Sequence, residues 1–140
     1  MTLELQATPE EVMRAVEALQ EFGRNLHLGE HEIFGLALAL EECGSNIVNH
    51  AYRRDPRQKF RVSIEHEGDA VIIELRDRGP EFDPTRMRVV ESVTGVDDRP
   101  PGGWGLQLVH HYVDAISYRR ENNENVLRLS KNLPREAGQK

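Results

Sequence analysis

Cysteine occurs once in the 140 residues, at Cys43, so an intramolecular disulfide is excluded. No run of Cys and His has the spacing of a metal site. Positive charge is not in excess either: 18 Lys and Arg against 24 Asp and Glu leave a formal net charge of -6. The basic residues are scattered among acids, which argues against direct nucleic-acid binding and against an anionic membrane as partner. No apolar run is long enough to cross a bilayer, and Met1 to Gln6 lack the basic start and apolar stretch of a signal peptide. A cytoplasmic protein is expected. Internal repeats, low-complexity tracts and composition shifts are absent, so the length fits one domain over residues 1–133 followed by a disordered tail, 134–140. Missing too are a Gly-x-x-x-x-Gly-Lys loop and the protein-kinase motif set, two common ways of holding a nucleotide.

What is present is ordinary globular composition, 38% hydrophobic and 30% charged, arranged around the stretch Leu36 to Tyr52. At about 3.6 residues per turn, Ile33, Leu36, Ala37, Leu40, Gly44, Ile47, Val48 and Ala51 share one stripe, the face of a helix packed on a core. Glu42, Asn46 and Asn49 lie on the opposite stripe. A solvated face prefers Lys, Glu, Gln and Ala, the good helix formers. Here the neighbours are Gly35, Leu38, Ala39 and Ser45, so a short amide and a lone carboxylate among small residues predict a helix that lines a pocket. Cys43 falls between the two faces and reads as packing.

Leu3 and Leu5 alternate with polar residues as a short strand, and Thr8-Pro9-Glu10-Glu11 combines a capping box with proline at the first helical position. The helix that follows carries Val12, Ala15, Val16, Leu19 and Phe22 at helical spacing. Gly23 to Gly29 leads into the pocket helix, expected from Glu30 to Tyr52, and Arg53 to Gln58 reads as a loop. Phe60, Val62 and Ile64, then Val71, Ile73 and Leu75, alternate with polar neighbours as a hairpin with one buried face. One further step of that alternation aims Asp77 inward, where a carboxylate needs a partner. Turning onto the backbone of the next loop would supply one equally well. From Phe82 to Gly103 neither period is clear, and the length exceeds usual connections, as in a lid or an unordered segment. The glycines of Gly102-Gly103-Trp104-Gly105 then open a helix carrying Leu106, Leu108, Val109, Tyr112 and Val113. Unpaired N–H groups at such a helix start suit phosphate, though glycines are as often plain loop residues. Ala115 to Tyr118 and Val126 to Lys131 form a last hairpin, with Arg119 to Asn125 as its loop. The economical arrangement is α+β, a two-layer α/β sandwich with a mixed, mostly antiparallel sheet and helices on one face.

Three phrases stand in order: Glu-Glu-Cys-Gly-Ser-Asn-Ile-Val-Asn-His-Ala-Tyr ending at Tyr52, Asp-Arg-Gly-Pro-Glu-Phe-Asp-Pro from Asp77, and Gly-Gly-Trp-Gly-Leu-Gln-Leu-Val from Gly102. Together they resemble the boxes of the GHKL family of ATPases and kinases, nearest to the bacterial anti-sigma-factor serine/threonine kinases of partner-switching systems. The resemblance runs from the first strand to Lys131 and implies a Bergerat-type ATP-binding fold. By position it implies that Glu42 is the general base and that Asn46 binds the Mg2+ ion bridging the ATP phosphates. It further implies that Asp77 accepts from the adenine amino group and that Gly79 lets the backbone approach the base. Gly103, Gly105 and Leu106 match the phosphate-facing helix start. Glu81 departs from the pattern where many members have a second glycine, and Asn125 is a partial match for the glycine usual before the last strand. Asn49, His50 and Tyr52 match the first box but read as structural.

The resemblance implies an ATP-dependent serine/threonine protein kinase that phosphorylates a small anti-anti-sigma antagonist. A sigma factor would be the competing partner, held by a kinase homodimer. The rival is a nucleotide-dependent binding module without productive phosphoryl transfer, against which Glu42 argues, since a pure binder needs no base. In either case residues from about Thr85 to Pro101, with Arg86, Arg88 and Arg99, are expected to form a lid that ATP orders.

Overall fold

The computed structural model describes residues 1–86 and 105–133. The glycine-rich turn with Gly103, most of the expected lid with Arg88 and Arg99, and the tail 134–140 lie outside the described residues, as does the side chain of Arg86.

Strand β1 (Thr2–Gln6) turns at Thr8 into helix α1 (Pro9–Asn25), and the chain returns as helix α2 (Glu30–Asn46). The start of α1 follows from its own residues. Pro9 pre-sets the first helical φ, and Thr8 Oγ1 accepts from the Glu11 backbone N–H at 3.2 Å. The Glu11 carboxylate reaches back past Thr8 and accepts from the Gln6 N–H at 3.2 Å. Gly44 of α2 lies against Val12 early in α1, and Gly23 late in α1 lies against Ile33 early in α2; a β-carbon at either would meet these side chains at 3.1 or 2.8 Å. The two helices therefore form a close antiparallel pair.

The end of α2 differs from the expected single helix to Tyr52. From Ile47 to Ala51 the turns widen to a π-helix, and the Tyr52 N–H donates to Ile47 O at 2.9 Å. Arg53 and Arg54 then adopt left-handed φ of 49° and 62°, and the Arg54 N–H closes on Val48 O at 2.7 Å, ending the helical run.

Strands β2 (Lys59–Glu67) and β3 (Ala70–Asp77) form the expected hairpin, paired from Phe60 with Asp77 to Glu67 with Ala70. After a 3-10 turn (Pro84–Arg86) come α3 (Gly105–Tyr112), β4 (Ala115–Glu121) and β5 (Glu124–Asn132). The five described strands order β1-β2-β3-β5-β4, and every neighbouring pair is antiparallel, so the sheet is less mixed than expected. The expected loop from Arg119 to Asn125 is corrected. Both strands run through it, leaving a two-residue turn at Asn122 and Asn123 with φ of 52° and 63°. Asparagine tolerates this left-handed pair, so the turn dispenses with the usual glycine. Asn125 thereby becomes a strand residue opposite Asp77.

The core lies on the inner face of the sheet, where Leu5, Phe60, Val62, Ile64, Ile73, Leu75 and Leu129 meet Val12, Leu19, Leu36 and Leu40 from the helices. Burying each such side chain contributes roughly 1.5–3 kcal/mol. The outer face carries ion pairs instead: Arg61 with Glu124 at 2.9 Å, Arg76 with Glu74 at 2.9 Å and with Glu121 at 3.2 Å. Pairs of this half-exposed kind are worth about 0–1 kcal/mol, so the helical face positions the elements and the charged face keeps a second layer off. Val126 points outward yet is fully covered, flanked in register by Arg76 and Arg119, whose stems can shield it.

Helix α3 packs on α2. A β-carbon at Gly35 would come within 2.6 Å of the Tyr112 ring. The sequence assigns Gly35 to a pocket wall; it instead makes room for α3, because one side of the polar stripe is covered by a helix. Among the described residues no helix is long and apolar enough to cross a membrane.

Candidate functional site

Where α2 gives way to its π-turn, a cleft opens between that turn, the end of β3 and the start of β5. Asn46, Ala51, Asp77, Phe82, Tyr118 and Asn125 line it, and its free volume is narrow, about 20 Å³. Asp77 is in place because β3 keeps its two-residue alternation to its last residue, which puts the carboxylate on the inner face, 5% exposed. Its Oδ1 accepts from the Gly79 backbone N–H at 2.9 Å and from Asn125 Nδ2 at 2.9 Å. Asp77 thus points inward as the strand period requires, and its Oδ1 caps the following loop, while Oδ2 has no donor among the described residues. Burial pushes the Asp77 carboxyl above the usual aspartate range, against the hydrogen bonds from Asn125 and Gly79 that favour the anion.

Gly79 is required by packing. A β-carbon there would lie 2.9 Å from Ala51 Cβ and 3.0 Å from both Ala51 O and Asp77 Oδ1. Gly79→Ala must therefore push the loop off the π-turn. We expect a loss of about 1–3 kcal/mol, the usual range for overpacking, read as a lowered urea midpoint at unchanged slope.

Asn46 is 6% exposed, and its side-chain amide has no hydrogen-bond partner among the described residues. A buried amide left unpaired costs stability, which makes Asn46 a candidate for contact with a ligand. Glu42, one turn earlier on α2, is half-buried and has no ion-pair or hydrogen-bond partner among the described residues. Burial raises its carboxyl above the ordinary glutamate range, and the neighbouring Glu41 charge adds to this. No group of three or more His, Cys, Asp or Glu able to hold a metal occurs among the described residues. A divalent ion bound at Asn46 would thus take most of its ligands from phosphate and water, which fits magnesium. Gly105 begins α3, while the Leu106 side chain is buried in the core, so Leu106 has only its backbone to offer a ligand.

Cys43 also borders the cleft, but it is buried and its thiol is pushed up to about 12, which suits packing and not reactivity. Tyr52 is structural, as the sequence suggests. Its hydroxyl donates to Lys59 O at 2.7 Å and accepts from the Arg78 N–H at 2.7 Å, tying the π-turn to β2 and to the loop after β3. Asn49 likewise serves locally, accepting from Arg54 Nε at 3.0 Å. His50 stacks on Phe82 with ring centroids 6.3 Å apart.

The residue that sequence reasoning undervalues is Asn125, 4% exposed and bonded to five groups around the cleft. A signal for it exists. Stepping back from Leu129 and Leu127 by two lands on Asn125, the same rule that aims Asp77 inward. A wider depression lined by Arg57, Lys59, Arg61, Arg76, Arg78 and Glu124 lies beside the cleft. There Glu124 draws in Arg61 at 2.9 Å and Arg76 and Arg78 at 3.6 Å, one carboxylate shared by three guanidinium groups.

The chain is 30% identical over 129 residues to serine/threonine-protein kinase BtrW of Bordetella bronchiseptica, covering 92% of this chain and 91% of that one. It is 25% identical over 126 residues to serine-protein kinase RsbW of Oceanobacillus iheyensis, covering 85% and 78%. The crystal structure of the RsbU and RsbW domains of a Mycobacterium tuberculosis protein shares the fold, with a TM-score of 0.64 at 19% identity, over 100% of this chain and 34% of that one. Residues 5–131 match the model of the histidine kinase-like ATPase domain, nearly the whole span from β1 to β5, and the chain therefore belongs to that family.

Proposed function

We propose that the chain is an ATP-dependent serine/threonine protein kinase that phosphorylates a small anti-anti-sigma protein, which competes with a sigma factor for binding to the kinase. The observation that carries this reading is Glu42: a half-buried carboxylate with raised proton affinity and no partner among the described residues, one helical turn from the unpaired amide of Asn46. Adenine enters the cleft and its 6-amino group donates to Asp77 Oδ2, while the backbone at Gly79 lets the base approach. Asn46 would hold a magnesium ion together with the phosphates, and the chain at Gly103, Gly105 and Leu106 would offer them backbone N–H groups, which is what the resemblance implies for these positions. The bound ion would neutralise charge on the β- and γ-phosphates. The acceptor hydroxyl gives its proton to Glu42 as its oxygen bonds to the γ-phosphorus. The bond from that phosphorus to the bridging oxygen breaks, and ADP leaves with the electron pair.

Incubation with labelled ATP and a candidate antagonist tests the reading. Label on a serine or threonine of the antagonist is expected, and partner binding without label would leave only a nucleotide-dependent binding module. Asn46→Ala provides a separate check. We expect it to weaken magnesium-dependent ATP binding by roughly tenfold or more, as for the loss of one charge-assisted ligand, with magnesium-free binding little changed in calorimetry.

A further inference from the structure

Asn125 makes five polar contacts, and together they permit only one orientation of its amide. Its Oδ1 accepts from the Phe82 N–H at 3.1 Å, from the Tyr118 hydroxyl at 2.5 Å and from Arg120 Nη1 at 3.1 Å. Its Nδ2 donates to Pro80 O at 2.9 Å and to Asp77 Oδ1 at 2.9 Å. Turning the amide over would set NH2 against a backbone N–H and a guanidinium, both of which can only donate, and would set a carbonyl oxygen against Pro80 O, which can only accept. Nδ2 therefore points at Asp77. Arg120 Nη1 also donates to Gly79 O at 2.8 Å, so the same guanidinium braces both the amide and the loop.

For Asp77 the consequence is directional. With Gly79 N–H and Asn125 Nδ2 both on Oδ1, the carboxylate cannot rotate without losing two hydrogen bonds, and only Oδ2 remains as an acceptor. We propose that Asn125 is a positioning residue that sets nucleobase selectivity: it fixes Asp77 so that a single acceptor meets the base, favouring a 6-amino purine over a 6-oxo one. This inference rests on the reading of the cleft as the adenine site. A 6-amino group donates to a fixed Oδ2, whereas a 6-oxo group sets its lone pairs against it. A carboxylate free to turn, or to draw in water, would lose much of this contrast.

The test compares ATP with inosine triphosphate, which replaces the 6-amino group by a 6-oxo group, by calorimetry on the wild type, Asn125→Ala and Arg120→Met. Wild type is expected to prefer ATP by at least about tenfold, the scale of one charge-assisted hydrogen bond. In Asn125→Ala the preference should fall to within about threefold of parity, through weaker ATP binding with inosine triphosphate little changed. Arg120 is largely exposed, so Arg120→Met keeps the fold even where Asn125→Ala does not, and it should lower the preference by about threefold through a looser amide. If a folded variant weakens both nucleotides by the same factor, Asn125 only supports the fold and the proposal is overturned. Equal affinity of the wild type for the two nucleotides would instead remove the adenine reading, and with it the proposal.

Discussion

Replacing Glu42 with alanine should leave ATP binding within about twofold of wild type and slow phosphoryl transfer to a serine or threonine by at least about a hundredfold, the lower end for loss of a positioned general base. The separation is expected because Glu42 has no partner whose loss would propagate: among the described residues it neither pairs with a cation nor caps a backbone group. Its carboxyl is raised by burial and by Glu41, so its base form is lost on acidification at a higher pH than for an ordinary glutamate. The acid limb of the wild-type rate should follow that titration and vanish from the residual rate of Glu42→Ala. Single-turnover transfer measured across pH, beside calorimetric ATP affinities, checks both parts. Equal losses of binding and transfer would mean that Glu42 holds the nucleotide instead of taking the proton.

Asp77→Asn should weaken ATP and ADP binding by about a hundredfold or more, and it should leave the fold as stable as wild type or more so. The existing hydrogen bonds dictate which way the new amide turns. Gly79 N–H and Asn125 Nδ2 are both donors, so the amide oxygen takes the place of Oδ1 and the NH2 takes the place of Oδ2. A donor then faces the adenine amino group. Losing a charge-assisted hydrogen bond and gaining a donor clash together amount to roughly 3 kcal/mol, about two decades of affinity. The stability part follows from linkage. Burial raises the Asp77 carboxyl in the folded state, so between the ordinary aspartate value of about 3.9 and the raised folded value the native chain holds a proton that the unfolded chain releases. Stability from this group is therefore greatest below that window, falls as pH rises through it, and stays lowered at neutral pH. Asparagine removes the charged form, and each kcal/mol recovered raises Tm by roughly 2–4 °C for a domain of this size. A variant that loses both binding and stability would show that Asp77 is needed to hold the loop and would not isolate base recognition. Gains in stability with loss of ligand are the usual signature of a charge kept buried for function.

Local pattern settled much of this protein. The capping residues Thr8 and Pro9 start α1 where the sequence places it, since a cap is read within four residues. The alternation through Val71, Ile73 and Leu75 aims Asp77 inward, since side chains in a strand repeat every two residues whatever packs on them. The helical stripes of α2 put Glu42 and Asn46 on its polar side, and the ordered boxes led to the histidine kinase-like ATPase family that residues 5–131 match. Tertiary structure decided the rest, because it depends on what a side chain meets across the fold. Gly35 reads as a pocket wall until the Tyr112 ring occupies the space beside it. Gly79 must be glycine because Ala51 lies against it, and Ala51 is there because α2 widens into a π-turn that helical periodicity does not reveal. Asn125 reads as a loop residue by composition and becomes a buried partner of Asp77 only once Asn122 and Asn123 close a tight turn and β5 pairs with β3. A sequence states which face a residue occupies; only the packed chain decides which atom of Asp77 is left without a donor among the described residues.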